Sequence, residues 1–416
     1  MLKIGPFRGY YYNANIIKNL SDVIAPPYDV VNKEEREVLA NRSKYNFIKM
    51  TLPSNYDPSN SSNEKFYSEA KQRWNMWKKN DIISLSEPSI WLLKESYVSK
   101  NNENLTRSGF IASLDVADDS DKFVLRHERT HQAPKMDRVN LYKSTLSNLS
   151  PLFFIYQDDQ EQTKEFINHF NRMNIKSAIF NHRGKVNLEL LRSSDIDFIK
   201  KFSNSFEGKY ALIADGHHRY AASRILDQEN TSPNIDTSSL MGYLVPSSTP
   251  GLIVEATHRA IFKLNNFDEE VFINNINEFF AIDSDLTNSS FSIHTKLKGE
   301  IKLTPTQDTI KLVDSIVKNE FLSKIPVVIL EEIILKKITG MNSQDISHRT
   351  NLKYFQDKNL CSKELNNNNW NYAITVPPLS VDEIFKVTKS GAIFPQKSTY
   401  FYPKAPTGLV MRSMEK

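Results

Sequence analysis

A short apolar segment that runs directly into Asp215-Gly216-His217-His218-Arg219 constrains the fold of this chain more than any other feature. Residues 210–214 read Tyr-Ala-Leu-Ile-Ala, which favours a buried strand, and residues 220–226 favour a helix. Gly216 allows a close backbone approach at the turn between them. The segment therefore predicts a strand, a tight turn and a helix, as in a mixed α/β or α+β protein.

Other segments predict the same mixture of elements. The residues Phe66, Ala70, Trp74 and Trp77 recur at helical spacing and predict an amphipathic helix over 62–80. A hairpin-like pattern joins strands at 90–93 and 109–114. Further helices are predicted at 137–149, 161–173 and 306–340, and further strands at 152–156, 241–246 and 252–262.

The chain has 416 residues, too many for one average hydrophobic core. A polar, Asn- and Asp-rich stretch from about 265 to 300 marks a boundary or an insertion. The last residues, from 391, are too rich in aromatic residues and proline for a flexible, unpacked tail. We therefore expect domains over 1–264 and 265–390, and a C-terminal segment, 391–416, that packs back on the active site.

Charge and cysteine content exclude several classes of protein. The formal net charge is only +4, which does not indicate a nucleic-acid partner. A single cysteine, Cys361, excludes an internal disulfide framework and a cysteine-based zinc site, and fits a reducing cytosol. The N-terminus has no secretory pattern, and no run of 18 apolar residues occurs. We expect a cytoplasmic protein with no membrane partner.

The segment 215–219 is the strongest candidate for chemistry. Backbone N–H groups at the start of a helix suit a phosphate, and Arg219 can fork onto its oxygens. Two adjacent histidines and Asp215 add metal or proton chemistry. The alternative is a capping aspartate followed by surface histidines.

A second candidate is Arg126-His127-Glu128-Arg129-Thr130, which follows a predicted strand. Glu128 is a possible general base or metal ligand, and the downstream Lys135 and Arg138 are possible phosphate contacts. The alternative is a solvated run of charges.

Two weaker candidates lie near the ends of the chain. Lys397-Ser398-Thr399 places a cation beside hydroxyls that can bind a phosphoryl group, although a structural C-terminal strand is an alternative. Pro26 and Pro27 hold Tyr28 and Asp29 on a stiff turn, which a plain turn also explains. No P-loop, Gly-x-Ser-x-Gly elbow or dinucleotide fingerprint occurs, which argues against hydrolases and dehydrogenases.

Residues 214–220, Ala-Asp-Gly-His-His-Arg-Tyr, closely resemble the Asp-Gly-His-His-Arg box of free L-serine kinases in the ParB/sulfiredoxin superfamily. From about residue 6 to 412 the chain also resembles a longer family known as a domain of unknown function. In that family Ala-Pro-Pro-Tyr-Asp-Val, His-Glu-Arg-Thr and Lys-Ser-Thr-Tyr-Phe-Tyr-Pro-Lys recur. Some relatives look like serine kinases that use pyrophosphate in place of a nucleotide.

The resemblance implies an α+β protein with a ParB/sulfiredoxin-like catalytic core and N- and C-terminal elaborations. It implies a kinase of serine metabolism that phosphorylates free L-serine to O-phosphoserine, with Mg²⁺ and with pyrophosphate, ADP or ATP as donor. The residue roles that it implies form three sets. Glu128, Asp215 and His218 are catalytic, Asp215 also as the metal ligand. His127, Thr130, Tyr28 and Asp29 are substrate-binding. Gly216, His217, Arg219, Lys397, Ser398, Thr399, Lys135 and Arg138 bind donor phosphate.

Two departures weaken the match. The proline that precedes the lysine of the C-terminal motif in the short kinases stands one residue earlier here, at Pro395, with Gln396 between. The stretch between Glu128 and Asp215 is much longer than in those kinases. The match therefore does not identify the other residues that line the donor site. One alternative is a nucleotide-binding, DNA-associated regulatory module, and another is a scaffold with a degenerate site. Sulfiredoxin chemistry needs a catalytic cysteine, and Cys361 lies far from every motif.

Overall fold

A computed structural model describes residues 2–54, 63–116, 122–128, 130, 132–173, 175–181, 184–282, 291–364 and 370–416. The chain divides into two compact units. The first unit contains residues 1–126, 130–252 and 403–416, and the second contains 127–129 and 253–402. These limits differ from the expected domain ends at 264 and 390, because both units are built from separate stretches of chain.

The strands follow one another in this order: β1 Ile4–Gly5, β2 Phe7–Tyr12, β3 Ile83–Val98, β4 Asn104–Asp115, β5 Val124–Leu125, β6 Ser147–Asn148, β7 Leu152–Tyr156, β8 Lys176–Asn181, β9 Lys185–Ser193, β10 Ala211–Asp215, β11 Ser239–Pro246, β12 Ile253–Glu255, β13 His258–Phe262, β14 Phe280–Ile282, β15 Phe291–Thr295, β16 Gly299–Pro305, β17 Leu352–Phe355, β18 Trp370–Thr375, β19 Tyr400–Tyr402 and β20 Met411–Ser413.

The α-helices are α1 Lys33–Arg42, α2 Ile48–Thr51, α3 Glu64–Lys79, α4 Gln132–Thr145, α5 Gln160–His169, α6 Ile196–Asn204, α7 His217–Glu229, α8 Glu269–Phe279, α9 Gln307–Val317, α10 Pro326–Ile329, α11 Ser343–His348, α12 Lys358–Lys363 and α13 Val381–Lys389. Short 3₁₀ turns cover Leu20–Asp22, Tyr28–Val30, Phe170–Arg172 and Leu322–Lys324. A π-helix, Leu330–Ile338, continues from α10. Among the helices of the described residues, none is long and apolar enough to cross a bilayer.

The first unit is built on a mixed sheet whose main path is β5-β10-β7-β11-β4-β3-β2-β20-β6. The strand β10 pairs in parallel with β5 and antiparallel with β7, so it lies inside the sheet. All five of its residues are buried. β5 pairs with Ala211 and Leu212 at the start of β10, whereas at its end, where α7 begins, Asp215 pairs with Phe153 of β7.

Two apolar clusters fill this unit. One packs α5 and α6 against the sheet through rings such as Phe110, Phe166 and Phe202. The other surrounds Trp74 and Trp77 of α3. Burying such side chains stabilises the fold by roughly 1.5–3 kcal/mol each. The predicted amphipathic helix over 62–80 is confirmed by α3, whose buried face includes Phe66, Ala70, Trp74 and Trp77.

The second unit contains a six-stranded sheet, β14-β16-β15-β18-β13-β17, and a separate β12–β19 pair. The predicted strand at 252–262 is divided into β12 and β13, which belong to different sheets. The predicted helix over 306–340 is broken into α9, a 3₁₀ turn, α10 and the π-helix, because Pro326 can only begin a helix. Strands and helices in both units confirm the expected mixed α/β (α+β) class.

Candidate functional site

The turn between β10 and α7 places the Asp-Gly-His-His-Arg segment. Asp215 ends the strand, Gly216 is the N-cap in the left-handed region at φ +98°, and α7 begins at His217. A side chain at position 216 would be strained by the backbone, and its Cβ would lie 3.0 Å from the Nε and Nη2 atoms of Arg219. Glycine is therefore needed both for the turn and for the position of Arg219. The strand–turn–helix prediction for this segment is confirmed.

The carboxylate of Asp215 lies between two cations. Lys404 donates from Nζ to Oδ1 at 2.5 Å, and Arg219 donates from Nη2 to Oδ2 at 2.7 Å. Arg219 also donates from Nη1 to the carbonyl oxygen of Pro151 at 2.6 Å. All three charged side chains are buried, so they have little water to screen them. We call Asp215, Arg219 and Lys404 the charge cluster.

The charge cluster carries a net positive charge. Burial alone raises the pKa of Asp215, but the charges of Lys404 and Arg219 outweigh it and hold that pKa well below its usual range. His217, which is also buried, acts in the same direction. The first turn of α7 begins beside the cluster, and helix N-termini attract anions. One ionised carboxylate between two cations at a helix start leaves an environment that favours an anion.

The donor set does not fit a magnesium ion held by Asp215. Both oxygens of this carboxylate already accept hydrogen bonds from cationic groups. A divalent cation would have to displace one of these groups and would be repelled by both. In the described part of the chain, no group of three or more His, Cys, Asp or Glu side chains is placed to hold a metal ion. The metal role that the resemblance implies for Asp215 therefore has no support in this geometry.

Arg138 is held by other side chains of the first unit. It pairs with Asp137, donates from Nη1 to the carbonyl oxygen of Thr51 at 3.2 Å, and lies 3.8 Å from the ring centroid of Tyr28. Asp137 in turn accepts from the hydroxyl of Tyr67 at 2.7 Å. Tyr28 and Arg138 are thus brought together, and Arg138 already has partners that a phosphate would have to share.

The remaining predicted residues of the first unit are less enclosed. His218 lies half-buried in the first turn of α7, and Lys135 lies half-buried in α4. Asp29 is exposed in the 3₁₀ turn Tyr28–Val30, and Thr130 is exposed before α4. Arg129 lies outside the described residues. This 3₁₀ turn directly follows Pro27, so Tyr28 and Asp29 lie on a turn, as the two prolines predict.

The second unit brings two other predicted segments together. The Nε2 atom of His127 and the hydroxyl of Thr399 lie 2.8 Å apart and share a hydrogen bond. The buried ring of His127 meets Phe394 and Phe401 edge-on, with centroids 6.3 and 5.9 Å away. Glu128 follows directly and is half-buried. The segments 127–128 and 397–399 were predicted independently, and the fold makes them neighbours.

The turn around Lys397 is fixed by the backbone. Lys397 adopts φ +57°, and its carbonyl oxygen accepts from Nη2 of Arg259 at 3.2 Å. The hydroxyl of Ser398 donates to the carbonyl oxygen of Pro395 at 2.6 Å. The segment Lys397-Ser398-Thr399 is thus a turn that leads into β19, rather than part of the strand itself.

Lys404 is the member of the charge cluster that sequence reasoning missed. It stands at the end of the Lys-Ser-Thr-Tyr-Phe-Tyr-Pro-Lys segment, but it received no role there. Lysine is rarely buried without a partner, and here only 6% of its surface is exposed. Its position two residues after Tyr402, in a segment too aromatic for a tail, was the available signal.

Comparisons with known proteins give a family but no activity. No curated protein matches the sequence. Among solved structures, a free serine kinase mutant in complex with AMP is 11% identical, with a TM-score of 0.38 over 73% of this chain and 92% of that one. SbnI from Staphylococcus aureus, with a C-terminal truncation, is 10% identical, with a TM-score of 0.38 over 71% of this chain and 84% of that one.

A conserved hypothetical protein from Pyrococcus furiosus is 12% identical, with a TM-score of 0.35 over 71% of this chain and 93% of that one. Scores this low leave the ParB/sulfiredoxin-like core a prediction. The family comparison is decisive, because the model described as "Protein of unknown function (DUF1015)" matches residues 4–328, well over half of the chain. The protein belongs to the DUF1015 family.

Proposed function

We propose that this protein is a small-molecule kinase that transfers a phosphoryl group to the hydroxyl of free L-serine and forms O-phosphoserine. The donor is pyrophosphate, or else ADP or ATP. The observation that carries the proposal is the buried charge cluster at the start of α7, in which Lys404 and Arg219 flank Asp215. The resemblance of residues 214–220 to the free L-serine kinases is the reason for proposing L-serine as the phosphoryl acceptor.

The charge cluster has the properties that phosphoryl transfer requires. The reaction demands positioning and stabilisation of negative charge more than covalent chemistry by the protein. Lys404 and Arg219 supply two cations, and α7 supplies the positive end of a helix. Asp215 holds both cations in place, so we assign it a positioning role. Because both Nη atoms of Arg219 already donate to Pro151 and Asp215, Arg219 contributes its positive charge to the site, as Lys404 does.

In the proposed reaction the hydroxyl oxygen of serine attacks the terminal phosphorus of the donor. The bond from that phosphorus to the bridging oxygen breaks, and phosphate, AMP or ADP leaves with the electron pair. Glu128 accepts the hydroxyl proton as general base. His127, Thr130, Tyr28 and Asp29 are assigned to serine.

The remaining assignments concern the donor. We assign Gly216, His217, Lys397, Ser398, Thr399, Lys135 and Arg138 to donor phosphate, and His218 keeps the catalytic role that the resemblance implies. No step is assigned to a metal ion at Asp215, because both of its oxygens are already bonded to cations. A divalent ion that arrives with the donor's phosphates is compatible with this scheme and is tested by the assay.

A donor screen tests the proposal. Purified full-length protein is incubated with L-serine and, separately, with pyrophosphate, ADP, ATP or CTP, with Mg²⁺ or with EDTA, and O-phosphoserine is followed by ³¹P NMR. We expect product with at least one donor, and no phosphorylation of L-alanine, which lacks the hydroxyl. Folded protein that forms no O-phosphoserine with any donor would overturn the proposal. Donor binding without turnover would favour a nucleotide-binding regulatory module instead.

A further inference from the structure

A pocket in the first unit contains none of the residues assigned to the proposed reaction. It encloses about 650 Å³, a volume in the range of small-molecule sites. We call it the Tyr11 pocket. Its walls come from β2, β3, β8, β9 and the segment before α6, and they include Tyr11, Trp91, Lys176, Arg192, Ser193 and Asp195.

Two cations meet over one ring of this pocket. The Nζ atom of Lys176 lies 3.7 Å from the ring centroid of Tyr11, and the guanidinium carbon of Arg192 lies 5.8 Å from the same centroid. Arg192 also lies 5.7 Å from the ring centroid of Trp91. Aromatic faces attract cations, so the two rings hold both side chains against the pocket wall.

In the described part of the chain, neither Lys176 nor Arg192 forms an ion pair with a carboxylate. Burial and the charge of Arg192 lower the pKa of Lys176 to about 8. Asp195 lines the pocket, but its Oδ1 atom accepts from the backbone N–H of Phe198 as the cap of α6. A ligand that carries negative charge would relieve the repulsion between the two cations.

Part of the remaining wall is apolar. Trp91 lines the pocket and is only 2% exposed. Leu190 and Met173 add apolar surface. The hydroxyl of Ser193 is already bonded to Nε2 of His169 at 2.8 Å. The pocket therefore combines a cationic end with a partly apolar wall.

We propose that the Tyr11 pocket binds a small phosphomonoester, with its phosphate on Lys176 and Arg192 and its organic part against Trp91 and Leu190. A phosphomonoester carries a charge of about −1.5 to −2 at neutral pH, and its oxygens can contact both cations at once. The guanidinium of Arg192 offers paired N–H donors to phosphate oxygens. The pocket is larger than a phosphate ion needs, so it has room for an organic group beside the phosphate. This proposal does not depend on the proposed kinase activity.

Phenyl phosphate is a suitable probe, because it joins a phosphate to one flat apolar ring. Full-length protein is titrated with phenyl phosphate by calorimetry and by tryptophan fluorescence. The test variant is Lys176→Gln/Arg192→Gln, and the matched control is Lys185→Gln, which removes an exposed charge from the same β8–β9 hairpin. We expect the double variant to bind at least tenfold more weakly and the control to bind like the wild type.

Three outcomes would overturn the proposal: no binding of phenyl phosphate by the wild type, equal binding by the double variant with an unchanged circular dichroism spectrum, or equally tight binding of phenylacetate. A Lys404→Gln variant separates this pocket from the charge cluster. If binding of phenyl phosphate depends on Lys404 and not on Lys176 and Arg192, the Tyr11 pocket is not the site. If binding depends on Lys176 and Arg192 alone, the Tyr11 pocket is supported as the phosphomonoester site, whether or not the protein is a kinase.

Discussion

The ammonium group of Lys404 lies 2.5 Å from the carboxylate of Asp215, although 189 residues separate them in the chain. On the other side of that carboxylate, Arg219 is only four residues away, one turn along α7. A local contact and a very long-range contact thus converge on one buried aspartate. This convergence turns a strand-to-helix turn into a positively charged site.

Gly216→Ala tests whether Gly216 supports pyrophosphate binding by leaving room for the side chain of Arg219. The alternative is that it only relieves backbone strain. A non-glycine residue in the left-handed region costs roughly 1–2 kcal/mol. The control is Gly208→Ala, since Gly208 has φ +73° and nothing within 4 Å of an added Cβ. We expect both variants to lose similar stability in urea unfolding, and only Gly216→Ala to lose affinity for pyrophosphate. Equal affinity of the two variants for pyrophosphate would contradict this prediction. It would show that the added Cβ does not displace Arg219, or that Arg219 does not contribute to pyrophosphate binding.

The charge cluster predicts a particular dependence of stability on pH. The pKa of Asp215 is lowered in the folded protein, against burial, by Lys404 and Arg219. A carboxylate of this kind adds stability above its unfolded pKa of about 4, and this contribution is lost as the pH falls towards the folded pKa. We expect the difference in free energy of unfolding between wild type and Asp215→Asn to be largest above pH 5 and to shrink below pH 4.

Urea unfolding at pH values from 6 to 2 measures that difference. Glu103→Gln, at an exposed carboxylate in the turn between β3 and β4, serves as the control and is expected to show little difference at any pH. A difference for Asp215→Asn that stays constant down to pH 2 would contradict the ion-paired state of this carboxylate.

Glu128→Gln tests the proposed general base. The amide keeps the size of the side chain but cannot accept the hydroxyl proton of serine, so we expect kcat to fall about 10²–10⁴-fold. The KM for the donor should change little. Glu320→Gln, an exposed position in the same unit, is the control. Turnover of Glu128→Gln near the wild-type rate would end this assignment.

A buried ion pair away from the charge cluster makes a prediction about stability. Arg107 donates from Nε to Oε2 of Glu95 at 2.6 Å, and the hydroxyl of Tyr243 donates to the same oxygen at 2.6 Å. Both charged side chains are fully buried between β3 and β4. Removing one partner leaves a buried charge without compensation, so Glu95→Gln or Arg107→Met should each destabilise the protein by about 3–5 kcal/mol.

The double variant Glu95→Gln/Arg107→Met removes both charges, and we expect it to lose clearly less stability than the two single variants together. Thermal unfolding of the four proteins completes the cycle. Lys164→Met breaks an exposed pair with Glu161 and should have little effect. Additive losses in the double variant would show that the buried pair contributes no coupling.

Much of the local structure was predictable, because it depends on short-range patterns. The helix α3 follows from the spacing of its aromatic residues, and the turn between β10 and α7 follows from Gly216 and its neighbours. The hairpin predicted from 90–93 and 109–114 is confirmed but longer, since β3 and β4 continue through polar residues that pair across the sheet. The segments at 127–128 and 397–399 were recognised as candidates, although their contact through Thr399 was not.

The parts that could not be predicted depend on long-range packing. The aromatic segment around Lys404 indicates that this part of the chain packs on the body of the protein, but nothing near Lys404 in the sequence identifies Asp215 as its partner. The return of residues 403–416 to the first unit, where β20 pairs with β2 and β6, joins the two ends of the chain. The π-helix after α10 is likewise set by tertiary packing, because its residues would also suit an α-helix.

The most direct test of the charge cluster is the affinity of the full chain for pyrophosphate, measured by calorimetry. The variants are Lys404→Gln and, as a matched control, Lys200→Gln at an exposed position in α6. Both are made in a Lys176→Gln/Arg192→Gln background, so that the Tyr11 pocket does not contribute. We predict binding at least tenfold weaker for Lys404→Gln, partial recovery for Lys404→Arg and no change for Lys200→Gln. Unchanged affinity of a folded Lys404→Gln variant would contradict the account.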